Sequence, residues 1–195
     1  MRDLEPMDIL LQALESGANL WEQSLQAMSA FHFLLTLVYL VPLGLCLANG
    51  QAARQSGEAD RVWWIAALLL GLLAANTVLN ADVFVSQSMR ALLKLSGLYG
   101  ERRPWQYGVV GLLAVVFLWL AARVRHAFVA CDVASEAVPF GLIILLALLA
   151  LRLVSAHDTD AILNLDLDVM TLGRALELLG LGLLAHGCWL CLELR

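Results

Sequence analysis

The stretch VPFGLIILLALLALRLVSAHDTD, residues 138–160, decides the reading of the fold. From 138 to 154 its one charged residue is Arg152, and a polar run follows at once. An apolar run of this length, closed by polar residues, reads as a helix crossing a bilayer, which takes roughly 20 apolar residues. The same pattern recurs near 31–47, 62–79, 107–122 and 172–192. The implied fold class is all-α: a polytopic membrane helical bundle of about five transmembrane helices.

Composition agrees. Of the 195 residues, 61% are hydrophobic and 15% charged, where soluble chains carry about 25% charged residues. The mean hydropathy is +0.79. A soluble core cannot absorb this much apolar surface, whereas lipid can. The formal net charge of -5 excludes a basic nucleic-acid face and a polybasic grip on anionic lipid. The N-terminus MRDLEPMD lacks the basic region and apolar run of a cleavable signal peptide.

Two further segments are amphipathic rather than spanning. Residues 1–30 form an N-terminal unit whose stripe Met7, Leu11, Leu14, Ala18, Trp21, Leu25 and Met28 steps by four and three. Polar residues interrupt it too often for a span, so it is expected on the membrane surface or along a partner. Near 83–99, Phe84, Ser88, Ala91, Leu95 and Leu98 repeat in the same way, with Gly97 or Gly100 as the stop. The bundle itself occupies 31–195.

Orientation follows from the flanks. The loops 49–61 and 123–137 carry Arg54, Arg61, Arg123 and Arg125, while the 157–171 loop on the opposite side has no Lys or Arg. The positive-inside rule places the first side in the cytoplasm. The N-terminus is then periplasmic and the C-terminus cytoplasmic, in a bacterial inner membrane. Arg90, Lys94, Arg102 and Arg103 oppose this assignment.

Charges inside spans are costly and mark functional positions. Arg152 ends the fourth span and Glu177 lies one or two turns into the fifth. The two helices are antiparallel neighbours, which brings the pair within reach. Asn76 and Asn80 lie at matching depth, and Ser155, His157 and Asp160 follow Arg152. This cluster reads either as a pocket for a polar headgroup, ion or solute, or as a structural network that locks helix ends.

For a metal, His157, Asp158 and Asp160, joined by His32, are weak ligand candidates, so no metal site is assigned. The acidic run Asp158, Asp160, Asn164, Asp166 and Asp168 lacks the glycine and glutamate of a calcium loop. Haem wants facing histidines inside the bundle, and His186 alone is deep, with His126 at the interface. Cys188 and Cys191 share a helix face and read as small apolar residues. No catalytic residue is assigned and no motif implies a cofactor.

Two stretches carry a resemblance. One is Leu79-Asn80, a short amphipathic helix, and GLYGERRPWQ at 97–106; the other is RLVSAHDTD at 152–160 with RALELLG at 174–180. Together they resemble a family of small multi-pass proteins of bacterial inner membranes to which no activity is attached. Ala81, Leu98 and Asp158 stand where that pattern has lysine, tryptophan and a second histidine. The resemblance covers roughly 62–192. It implies that the polar cluster distinguishes the group, and the missing histidine weakens an inherited metal site.

The expected function is that of a non-enzymatic integral membrane subunit or accessory protein, with the lipid bilayer and a membrane partner or second copy as its contacts. The alternative is a periplasm-facing polar pocket that binds or acts on a lipid headgroup, metal ion or small solute. A channel or transporter ranks third, because repeated halves and broken helices are missing.

Overall fold

A computed structural model describes residues 6–58, 60–98, 134–154, 163–168 and 170–194, with isolated positions between 108 and 122. At 134–136 and 153–154 it describes the backbone alone. The regular elements among these residues are the helices α1 (Pro6–Gln26), α2 (Ala30–Ser56), α3 (Arg61–Leu79), α4 (Ala81–Leu95), α5 (Ala134–Val154) and α6 (Leu172–Glu193). Three of them, α2, α3 and α6, are long and apolar enough to cross a membrane, and α5 is apolar over Ala137–Arg152. The expected span near 107–122 lies outside the described residues apart from single positions, of which Leu112, Val115 and Trp119 are exposed.

Burial has the sense that lipid imposes. The bundle core joins Leu35, Tyr39 and Cys46 of α2 to Leu70 of α3, Leu145 of α5 and Leu184 of α6. Phe33, Leu37, Val41, Leu68, Leu72, Phe140 and Trp189 point outward. Exposed apolar residues in such continuous bands would aggregate in water but match hydrocarbon. Helix contact relies on small residues, as expected where lipid competes for the large ones. At Gly141 of α5 a β-carbon would stand 2.6 Å from the Gly180 carbonyl oxygen of α6, so the two backbones touch there.

The polar loop expected at 49–61 is corrected. α2 runs on to Ser56 and stops at Gly57, whose φ of 74° takes the left-handed turn that ends a helix. The polar residues continue the helix because its packed face continues with them. Asn49, Gly50 and Ala53 are buried, and Asn49 Nδ2 donates to the carbonyls of Leu45 and Cys188, each at 2.9 Å. The loop shrinks to 57–60. Nearby, Cys46 and Cys188 sulfurs lie 3.5 Å apart and, with Cys191, fill the α2–α6 contact as free thiols.

α1 and α4 pack on each other at the opposite end. The close backbone contact is made by Ala13 and Gly17: a β-carbon on Gly17 would collide with Ser88. Met7, Leu11 and Leu14 of the stripe are exposed. Farther along, Trp21 meets Phe84 edge-on at 5.9 Å and its indole N–H donates to the Leu79 carbonyl. α4 ends at Leu95 with Ser96 as cap, and Gly97 follows at φ 76°.

Candidate functional site

Five helix ends meet beside the α1–α4 pair. They are the starts of α2, α4 and α6 and the ends of α3 and α5, and each is there for a local reason. Ser29, in extended backbone, opens α2. Asn80 takes the left-handed conformation (φ 47°) that ends α3 and starts α4 without a spacer. Before α6, a tight antiparallel turn ties Leu172 N–H to the Leu165 carbonyl at 2.9 Å and Leu167 N–H to the Met170 carbonyl at 3.0 Å. Thr171 then caps α6, its hydroxyl accepting the Arg174 N–H.

Glu177 is the centre of the site. It is 2% exposed and lies inside the bundle. Its Oε2 accepts from Arg152 Nη2 at 2.9 Å and from Arg174 Nη1 at 3.0 Å. Its Oε1 accepts from the Tyr39 hydroxyl at 2.8 Å. Three elements thereby converge on one carboxylate, and two guanidiniums share a single negative charge. Thr36 and Thr77 join their hydroxyls just beneath, linking α2 to α3.

Asn76 and Asn80 sit at the same end. Asn76 Oδ1 accepts the backbone N–H of Asp82 at 3.1 Å, holding the start of α4. Ser155, His157, Asp158 and Asp160 lie outside the described residues. His32 is placed here, and its ring is oriented by its neighbours. The Ser29 backbone N–H donates to Nδ1 at 3.3 Å, and the Ser29 hydroxyl oxygen lies 3.1 Å from the same atom. Nε2 lies 3.5 Å from Arg174 Nη2.

These groups line an open cleft of about 410 Å³. Arg152, Arg174, His32, Asn76, Asn80 and Asp82 all contribute to it. Arg152 and Arg174 side chains keep 28% and 23% of their surface exposed, against 3% for Glu177. The two guanidiniums therefore bring to the cleft N–H donors on groups that cannot accept, beside the Asp82 carboxylate. Such a lining favours an anionic oxygen, in bidentate contact where the guanidinium edge allows. Among the described residues no three histidine, cysteine or acidic side chains converge as metal ligands. His186 faces outward on α6.

Sequence reasoning had Arg152 and Glu177 in the cluster but left out Arg174, Tyr39 and Asp82. Arg174 carried a signal: its i,i+3 spacing to Glu177 is that of an intrahelical ion pair. Tyr39 carried a weaker one, a lone phenol inside an apolar span, since a buried tyrosine finds a partner for its hydroxyl.

Compared with known proteins, the chain matches no family model, no curated protein and no solved structure.

Proposed function

We propose that this is a multi-pass integral membrane protein that binds a small anionic group in the cleft. In this reading five spans cross a bacterial inner membrane, the cleft opens to the periplasm and the C-terminus is cytoplasmic. The observation that carries the binding role is the pair of guanidiniums, Arg152 and Arg174, that line the cleft while sharing the one carboxylate of Glu177. An anionic oxygen in the cleft would accept from guanidinium N–H groups that Glu177 does not occupy. The shared carboxylate supports the same reading. Glu177 takes one N–H contact from each arginine, and each guanidinium carries five N–H groups.

The test uses purified protein in detergent and dimethyl phosphate, a soluble phosphodiester anion. Titration is expected to raise thermal stability saturably in wild type and to have no effect on His32→Ala with Arg174→Lys. Equal stabilisation of both proteins would refute the assignment.

One observation favours a second reading, that of an accessory subunit. Met7, Leu10, Leu11 and Leu14 leave an exposed apolar face on α1, a helix outside the bundle. A membrane partner or second copy covering it would appear as added mass in native mass spectrometry.

A further inference from the structure

The polar cleft does not stand alone. An apolar groove of about 350 Å³ runs beside it between α3, α4 and α5, lined by Leu69, Leu72, Val85, Leu146 and Leu149. Cleft and groove share Asn76 and Asp82 on their walls, so the two spaces adjoin. The groove extends along α3 from Leu69 to Leu79, about 15 Å of helix rise. It points down the bundle toward the membrane interior, while the cleft sits at the bundle's end, where headgroups lie.

We propose that the pair is a binding site for one membrane phospholipid, the phosphate in the cleft and an acyl chain in the groove. This rests on the anion-binding reading above and adds the source of the anion. A free anion would need the donors of Arg152 and Arg174 but would have no use for an apolar groove opening beside them. A lipid fills both, and its own geometry joins them: a charged phosphodiester a few bonds from a hydrocarbon chain. Charge selects the phosphodiester. Arg152 and Arg174 bring two positive charges, and Glu177 and Asp82 two negative ones. Among the described residues these charges balance, which suits a singly charged phosphodiester held by hydrogen bonds better than a doubly charged phosphomonoester. Asn76 spends its Oδ1 on the Asp82 N–H, which leaves its amide N–H groups for an acceptor at the glycerol level.

In a bilayer the acyl chain gains nothing by leaving other lipids for the groove, because both surroundings are apolar. The headgroup donors therefore set the affinity, and the groove fixes which molecule can present its phosphate to them. Substitutions in the two parts should act differently.

The experiment is native mass spectrometry of delipidated protein in dodecyl maltoside, with phosphatidylglycerol and dimethyl phosphate as probes. Wild type is expected to retain one phosphatidylglycerol under collision energies that strip further copies. Arg174→Lys, which keeps the charge beside Glu177, is expected to lose at least tenfold in retention. Ala75→Trp, at an exposed position on the groove wall, is expected to lose lipid retention while dimethyl phosphate still stabilises the protein. The proposal is overturned if Ala75→Trp retains the lipid as wild type does, or if Arg174→Lys leaves retention unchanged. Stabilisation by dimethyl phosphate without any retained lipid would leave the anion site standing and refute the lipid. Failure of both probes would refute both.

Discussion

Replacing Glu177 by leucine should be the most damaging single change in the polar cluster. The carboxylate is 2% exposed and accepts three hydrogen bonds, two of them from guanidiniums at 2.9 and 3.0 Å. Removing the shared partner of a buried charge network costs about 3–5 kcal/mol. Here it strands two cations at once, each only about a quarter exposed by its 28% and 23% values. Arg152→Leu or Arg174→Leu removes one spoke and leaves the carboxylate paired with the other. Either should cost about 1.5–3 kcal/mol, the range for one charge-assisted bond. Restoration is also ordered. Arg152→Leu with Glu177→Leu leaves Arg174 without its partner and should recover only part of the loss. Leucine at all three positions removes the ion network while leaving the Tyr39 hydroxyl without its acceptor, and should recover most of what Glu177→Leu alone loses, since apolar replacement of a buried ion network is often neutral. Reversible unfolding in mixed micelles, followed by tryptophan fluorescence, measures each difference. The reasoning fails if Glu177→Leu is no worse than Arg152→Leu, or if the triple variant is as unstable as Glu177→Leu alone.

Other outcomes follow from the packing and the termini. Gly17→Leu places a side chain where Ser88 already stands; it should free α1 from α4, seen as faster proteolysis of the first 30 residues, and protection equal to wild type would count against that contact. Trp21→Glu removes the indole contacts to Leu79 and Phe84 and should release the same helix without lowering the unfolding midpoint of the bundle. Gly141→Ala pushes a methyl to 2.6 Å from the Gly180 carbonyl and should cost about 1–3 kcal/mol, again by unfolding in micelles. A reporter fused after Arg195 should read as cytoplasmic and a cysteine at Asn164 should label from outside; the reverse pattern would turn the cleft toward the cytoplasm.

The three helices long and apolar enough to cross a membrane were legible because lipid imposes one demand that sequence displays directly, a long run with almost no charge. The same demand hides which way each helix faces. In α3, Leu70 is buried and Leu68 is exposed, yet nothing distinguishes two leucines in the sequence, because hydrocarbon and protein core accept the same side chain. Packing is then marked by residues too small to stand out. Gly141, Gly180, Ala13 and Gly17 carry the close contacts, and the large stripe on α1 that periodicity selects is partly left outside. Helix ends were misjudged for a related reason. Asn49 looks like loop when polar residues are taken to seek water, but a buried amide bonded to Leu45 and Cys188 carbonyls continues the helix as well as leucine does.

Arg152 and Glu177 were legible because a charge in an apolar run has few ways to be satisfied, and an antiparallel connection fixes its depth. What could not be read is how one carboxylate divides itself. That Glu177 takes two arginines and a tyrosine depends on Tyr39, 138 residues away in sequence, and on the backbone path that brings α2 beside α6. The histidine facing Arg174 is hidden further still. His32 turns Nδ1 to Ser29 and Nε2 to Arg174, so the side of the ring that the cleft meets is set by a helix cap three residues upstream. A lone histidine at a helix start has two nitrogens of opposite character, and only the cap decides which one the ligand meets. Where lipid makes every face alike, the informative residues are those whose remaining hydrogen-bonding capacity the fold leaves unspent, and here they collect at one end of the bundle, beside a groove of hydrocarbon character.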